Sequence, residues 1–117
     1  MDTTELDRQT YEVDNKVWCI TTLIQLSEEL EPFNIPLKHL RIDGLCPKFN
    51  SDSPTNEFIN YIKRINNVDL SYPIILDDEG YVMDGRHRIF KALLKNKPSI
   101  KVVRFTETPK CDFIKAD

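Results

Sequence analysis

The chain contains few cysteines, and their arrangement excludes two common kinds of site. Cys19, Cys46 and Cys111 are widely separated in a sequence of 117 residues. They form no CxxC pair, no histidine stands near them at ligand spacing, and their number is odd. The sequence therefore indicates neither a zinc site nor a full disulfide framework, and a reducing cytoplasm is the compartment that fits.

The sequence also lacks the features of export and of membrane insertion. The N-terminal segment MDTTELDRQT is polar and acidic, without the basic start and apolar run of a signal peptide. No stretch approaches about 18 consecutive apolar residues. We expect a cytoplasmic protein with no membrane association, acting in the host cytoplasm if a phage encodes it. We expect a flexible lead at 1–10, one domain at 11–105 and a loose tail at 106–117.

Composition and charge favour a globular domain with a local anion site. Hydrophobic residues make up 40% and charged residues 30% of the chain, enough to bury one core. The net charge of −3 argues against a protein that coats DNA. Between Tyr81 and Phe105, however, seven basic residues accompany one acid, Asp84. This basic segment fits a local anion site, although a solvated helix face explains its lysines equally well.

Periodicity predicts an α/β (α+β) fold with a small mixed sheet and about three helices. Thr22 with Gln25 resembles a capping box, and Ser53 before Pro54 resembles an N-cap. The predicted elements, in chain order, are a short hairpin or bent strand at 11–20, a helix at 22–30, an edge strand at 33–40, a helix at 54–66, a hairpin of strands 72–76 and 81–83, a helix at 86–96, and a strand at 100–105.

The segment Asp84-Gly85-Arg86-His87-Arg88 is the candidate functional site. It lies where a predicted strand gives way to a helix, and the first amides of a helix attract anions. Gly85 allows a close approach of the backbone, Arg86 and Arg88 offer planar donors, and His87 offers a donor or a proton shuttle. We expect Gly85, Arg86, His87 and Arg88 to bind phosphate.

The run YPIILDDEGYVMDGRHRIFKALLKNKPSIKVVRF resembles the ParB/sulfiredoxin-like domain superfamily, here as a stand-alone domain. That family has a strand beginning with Pro, a turn, a second strand, a Gly-x-His/Arg-Arg turn, a helix and a closing strand in this order. The resemblance covers about residues 33–105. It implies that the Gly85–Arg88 turn binds the phosphates of a nucleoside triphosphate, as in ParB proteins with CTP and in sulfiredoxins and free-serine kinases with adenine nucleotides.

The sequence departs from the family pattern in two ways, and each departure argues against one activity of the family. Sulfiredoxins carry a reactive cysteine where this chain has Arg86, so the resemblance does not extend to sulfinic-acid reduction. ParB proteins usually carry a glutamate at that position and continue into a helix-turn-helix DNA reader, and no such sequence follows Phe105. We do not expect a DNA-partition clamp, although the basic helix 86–96 could bind DNA weakly.

Catalysis would require a proton-transfer group and positioned cations. His87, Asp84 and Glu57 are the catalytic candidates, with Glu57 acting as a base if its helix faces the site. Asp77, Asp78 and Glu79, with Asp84, are candidate Mg²⁺ ligands; a solvated turn is the simpler explanation for the first three. His39 is expected to be an ordinary packed or surface residue.

Three functions follow. The first is an NTP-dependent hydrolase, kinase or nuclease that takes ATP or CTP. The second is a catalytically silent nucleotide or phosphate sensor. The third is a phage- or plasmid-encoded binding protein that acts on DNA or on a protein partner, the latter through the acidic segment 1–31, which carries eight acids and two bases.

Overall fold

An N-terminal hairpin begins the structure, a computed structural model that describes residues 9–116. Strands β1 (Thr10–Val13) and β2 (Lys16–Cys19) pair in antiparallel fashion. Asp14 and Asn15 connect them with φ angles of 49° and 68°. Two successive residues at positive φ match the right-handed twist of paired strands. Of the two interpretations of this segment, the structure therefore adopts the hairpin.

The C-terminal segment is ordered and completes this first sheet. Strand β7 (Phe113–Ile114) pairs with β2, so the order of the antiparallel sheet is β1-β2-β7. The indole Nε1 of Trp18 also donates to the Pro109 carbonyl at 2.8 Å. Within the segment predicted as a loose tail, the structure therefore contains a strand and long-range hydrogen bonds. A two-residue strand is too short to produce a detectable alternation, which is why the sequence did not reveal it.

The flexible lead predicted at 1–10 lies mostly outside the described residues. Within them, Thr10 already belongs to β1, where it pairs with Cys19. The ordered structure therefore includes at least one residue that the sequence assigned to the lead.

Helix α1 (Ile20–Ser27) starts two residues before its predicted beginning and ends three residues before its predicted end. Thr22 lies inside the first turn, and the N-cap position is Cys19, whose side chain makes no capping bond. The cap comes instead from the C-terminal segment. The Asp112 carboxylate accepts from the Cys19 amide at 2.7 Å and from the Thr22 hydroxyl at 3.1 Å. A distant residue thus replaces the predicted capping box.

A four-stranded mixed sheet forms the centre of the fold. Its strands are β3 (Phe33–Pro36), β4 (Ile74–Leu76), β5 (Val82–Asp84) and β6 (Ser99–Arg104), in the order β3-β6-β4-β5. Strands β4 and β6 are parallel, whereas β3 with β6 and β4 with β5 are antiparallel. The predicted edge strand, hairpin and final strand are confirmed. The edge strand is shorter than predicted, because a 3₁₀-helix, Leu37–His39, follows it and leaves His39 exposed.

Helices α2 (Thr55–Asn67) and α3 (Arg86–Leu94) confirm the two remaining helix predictions within two residues at each end. Ser53 is not the N-cap of α2, because Pro54 takes that position. The Ser53 hydroxyl accepts from the Asn50 amide at 3.0 Å and so stabilises the preceding turn.

Two apolar clusters cover the two faces of the central sheet. Residues of β4 alternate between them, with Ile74 and Leu76 on one face and Ile75 on the other. Ile89 of α3 packs on the first face, and Leu23 of α1 packs on the second. A strand covered on both faces is apolar without interruption, as β4 is. The molecule is therefore an α+β fold, as predicted, with a second, smaller sheet that the sequence did not predict.

We predict that Asp112→Ala lowers the free energy of unfolding by about 1 to 2 kcal/mol, because it removes two side-chain hydrogen bonds at the start of α1. Urea denaturation measures the change. Glu107→Ala is the matched control, since Glu107 is an exposed acid in the same segment. Equal stability of the two variants would contradict the role given to Asp112.

Candidate functional site

Gly85 forms the junction between β5 and α3, and its conformation depends on the absence of a side chain. It occupies the N-cap position of α3 with φ at 111°. A Cβ atom there would lie 2.5 Å from Ile74 Cδ1 and 3.0 Å from Arg88 Nη2. Only glycine combines this φ with so close an approach. Gly85 therefore allows a close approach of the backbone, as predicted, and this role is compatible with its predicted place in the phosphate-binding set.

Gly85, the N-cap residue of α3, provides no side chain to cap the helix. The first intrahelical bond of α3 runs from the Ile89 amide to the Gly85 carbonyl at 3.1 Å. The amides of Arg86, His87 and Arg88 precede that bond, so they lie at the positive end of the helix dipole. This arrangement favours an anion in front of the turn.

A cleft of about 520 Å³ opens in front of this turn, and all five residues from Asp84 to Arg88 line it. The structure thus brings the predicted phosphate-binding set to one cavity, of a size typical for small-molecule sites. Arg64 of α2 adds a third guanidinium group. Sequence reasoning missed Arg64, because the periodicity of α2 does not reveal which element the helix contacts.

Contacts between α2 and α3 explain how Arg64 reaches the cleft. The Lys91 Nζ donates to the carbonyls of Asn66 and Val68, at 3.0 and 2.7 Å, at the C-terminal end of α2. A cation at this end satisfies carbonyls that have no partner within the helix. Lys91 therefore fixes the last turns of α2, which carry Arg64, beside α3.

Arg88 and Asp84 form an ion pair within the site. Arg88 Nη2 lies 2.9 Å from Asp84 Oδ2, and the two side chains are only 18% and 20% exposed. The Nε of Arg88 is buried without a hydrogen-bond partner. Asp84 is thus already engaged, which weakens its candidacy as a base or metal ligand. The Arg88 guanidinium has five N–H donors, so its bond to Asp84 leaves others for a ligand.

His87 lies in a partly buried environment beside Tyr61. Their ring centroids are 4.9 Å apart, and His87 Nε2 is buried without a hydrogen-bond partner. Burial lowers the pKa of His87 below its usual value, and the positive charges of Arg86 and Arg64 lower it further. The imidazole is therefore neutral near pH 7, and its unpaired nitrogen can accept or donate one hydrogen bond according to its tautomer.

Tyr61 supports both His87 and Arg86. The Arg86 guanidinium lies 5.9 Å from the centroid of the Tyr61 ring, while the Arg86 side chain stays exposed at the edge of the cleft. Burial raises the pKa of Tyr61, and the charge of Arg86 opposes this effect. In the sequence, Tyr61 is only one apolar residue of the helix predicted at 54–66. Its contact with the site depends on the packing of α2 against α3.

The structure does not bring Glu57 to the cleft. Glu57 is exposed in the first turn of α2 and is not among the residues that line the cavity. It precedes Arg64 by two helical turns, a distance of about 10 Å along the axis. Helix α2 does face the site, as the prediction for Glu57 required, but only through its C-terminal end, so Glu57 is not placed to act as a base there.

The acidic residues 77–79 form the turn between β4 and β5 at the opposite end of β5 from Gly85. Asp77 Oδ1 accepts from the amides of Glu79 and Tyr81, at 2.9 and 2.8 Å. Asp78 Oδ1 accepts from the Thr108 hydroxyl at 2.9 Å. The geometry of a turn accounts for these acids. Within residues 9–116, no group of three or more acids, histidines or cysteines is placed to hold a metal ion.

The basic segment between Tyr81 and Phe105 does not form one continuous surface. Lys91 is bound to α2, and Arg104 Nη2 donates to the Asp78 carbonyl beyond the far end of β5. Lys95, Lys97 and Lys101 are exposed. The structure thus separates the guanidinium groups of the cleft from cations that stabilise the fold and from solvated lysines.

Searches for related proteins assign the chain to no family. No protein-family model, no curated protein and no solved structure matches it. Among residues 9–116, no helix is both long and apolar enough to cross a membrane.

We predict that Gly85→Ala lowers the free energy of unfolding by about 2 to 4 kcal/mol, because strain at positive φ is combined with a clash against Ile74. Gly44→Ala is the matched control. Gly44 also has positive φ, at 84°, but has no atom within 4 Å of its Cβ position. Thermal and urea denaturation should show a clearly smaller loss for Gly44→Ala; equal losses would mean that contact with Ile74 is unimportant.

We also predict that protonation of His87 destabilises the fold. Because the folded state lowers the pKa of His87, the unfolded chain binds more protons at mildly acidic pH, and stability falls as pH decreases below the unfolded pKa. His87→Gln should reduce the loss of stability between about pH 7 and 5. His39→Gln, at an exposed position, is the control. An unchanged pH profile in His87→Gln would refute the prediction.

Proposed function

We propose that this protein binds a nucleotide or another phosphorylated small molecule, with a phosphoryl group at the Gly85–Arg88 turn. One observation carries the proposal: the start of α3, where the N-cap residue is Gly85, opens into a cleft that is also lined by Arg64, Arg86 and Arg88. Helix amides and guanidinium groups are the donors that proteins use most for phosphate oxygens.

The charge of the cleft supports an anionic ligand. Three guanidinium groups and one carboxylate, Asp84, line it, so its net charge is +2. Asp84 neutralises part of Arg88, whereas no described residue forms an ion pair with Arg64 or Arg86. We therefore expect Arg64 and Arg86 to bind phosphate without breaking an ion pair with another described residue.

The resemblance to the ParB/sulfiredoxin-like superfamily adds a candidate class of ligand. In chain order, β4, the acidic turn, β5, the Gly85 turn, α3 and β6 follow the order on which that resemblance rests. If the chain is a member, ATP or CTP is the expected ligand. We treat membership as a hypothesis, and the site is argued from its own donors.

Among the catalytic candidates, His87 retains the strongest support. Asp84 is held by Arg88, and Glu57 lies outside the cleft. His87 has an unpaired nitrogen and a lowered pKa, which suit a group that accepts a proton near neutral pH. We therefore propose ligand binding as the main function, with hydrolysis, kinase or nuclease activity dependent on His87 if turnover occurs.

One observation favours a second function, a catalytically inactive protein that binds a protein partner. Phe58, Ile59 and Ile62 of α2 are 45%, 43% and 37% exposed, and they form an apolar stripe at helical spacing. Such a stripe is common where proteins associate. The earlier suggestion of a contact through the acidic segment 1–31 concerns residues that are described only in part.

We predict that ATP, CTP or pyrophosphate raises the melting temperature, because a ligand that binds only the folded state stabilises it. Calorimetric titration, with and without Mg²⁺, then gives the affinity. Arg64→Gln and Arg86→Gln should each weaken binding about 10- to 100-fold, since each removes a charged hydrogen bond to phosphate.

Lys97→Gln is the matched control, because it removes an exposed cation outside the cleft. If Lys97→Gln weakened binding equally, the losses in the arginine variants would reflect the overall charge of the protein and not contacts with the ligand. The absence of binding by any phosphate compound, in a protein that melts cooperatively, would overturn the proposal and favour the protein-binding alternative.

A further inference from the structure

The cleft extends along β5, with different chemistry at its two ends. At the Gly85 end, the positive charges of Arg86 and Arg64 lower the pKa of His87. Tyr11, which also lines the cleft, has its pKa raised first by burial and then by Asp77 and Tyr81, which lie at the other end of β5. The charges that act on Tyr11 are therefore those of the acidic turn and not those of the guanidinium groups.

The length of the cleft follows from the strand. Val82 and Gly85 both line the cleft, and the three residue steps between them correspond to about 10 Å in an extended strand. This distance exceeds the size of a phosphoryl group. A ligand that fills the cleft must therefore carry a second portion beyond its anionic group.

The walls beyond the guanidinium groups are mostly apolar. They include Tyr11 from β1, Ile24 from α1, Leu45 and Met83. The Tyr11 ring is held against Trp18, with ring centroids 5.7 Å apart. A fixed aromatic ring beside aliphatic side chains favours a flat, uncharged group, since burial of apolar surface is favourable and requires no hydrogen bonds.

The charged end matches a single dianionic group. Its net charge of +2 comes from three guanidinium groups and one carboxylate, and that carboxylate is already bound to Arg88. A phosphate monoester carries a charge between −1.5 and −2 near pH 7. It would balance the site without a metal ion. A free triphosphate would bring more negative charge than the site balances, and a metal-bound triphosphate would place a cation close to Arg64, Arg86 and Arg88.

We propose that the ligand is a phosphate monoester with a flat apolar body, bound as the free anion, its phosphoryl group at Arg64, Arg86 and the start of α3 and its body along β5 toward Tyr11. This inference rests on the proposed function and makes it more specific. A monoester should be preferred over a triphosphate, and a divalent cation should not tighten its binding.

The test is calorimetric titration of the full chain with 1-naphthyl phosphate, methyl phosphate, and ATP with Mg²⁺, with the first repeated in EDTA and in Mg²⁺. We expect 1-naphthyl phosphate to bind at least about tenfold more tightly than methyl phosphate, with equal affinity in EDTA and in Mg²⁺. We also expect it to bind more tightly than ATP with Mg²⁺.

The outcomes separate this inference from the function on which it rests. Equal affinity for the naphthyl and methyl esters, a requirement for Mg²⁺, or preference for the triphosphate would overturn the inference and leave phosphate binding intact. Failure of all three compounds to bind would overturn both.

A variant of the apolar wall gives an independent test. Tyr11→Ser should remove most of the advantage of the naphthyl over the methyl ester while leaving methyl phosphate affinity unchanged. Ile24→Thr provides the same comparison if the first variant does not fold. Tyr72→Ser, at a tyrosine that is 62% exposed and outside the cleft, should leave the ratio unchanged. Retention of the full ratio in the folded wall variant would refute the inference.

Discussion

The candidate site depends on the close contact between the backbone of Gly85 and the side chain of Ile74. Ile74 is fully buried in the central sheet, so its position is set by the core. The absent side chain at Gly85 lets the end of β5 approach it, and the positive φ then turns the chain directly into α3. The direction of the first helical amides is therefore a consequence of core packing. A site that requires donors aimed at one point benefits from a rigid support of this kind.

Lys91 provides a second constraint on the site, because it connects α3 to the C-terminal end of α2. Its side chain donates to two carbonyls and so stabilises the C-terminal end of α2. The same bonds hold Arg64 near the Gly85 turn. The same packing puts Tyr61 against His87. Stability and function are linked here, because the interactions that hold the two helices together also concentrate positive charge around a partly buried histidine.

The first sheet and α1 close the other side of the cleft through contacts over long distances in sequence. The Asp112 carboxylate caps α1, and β7 extends the sheet that contains β2. Trp18 and Leu23 then bury the second face of the central sheet. The C-terminal segment thus helps to position Tyr11 and Ile24, the apolar wall of the cleft, although it does not line the cleft itself.

Local patterns in the sequence determined the α+β class, α2 and α3, the hairpin around the acidic turn, and the glycine and cations at the start of α3. Each of these depends on periodicity, turn residues or helix ends, which act over a few residues. Tertiary structure decided the rest: the distant cap of α1, the strand in the C-terminal segment, the placement of Arg64 inside the cleft and of Glu57 outside it, and the ion pair that engages Asp84. These features depend on which elements meet in space, and the free energy that selects those contacts comes from burial and pairing between residues far apart in the chain.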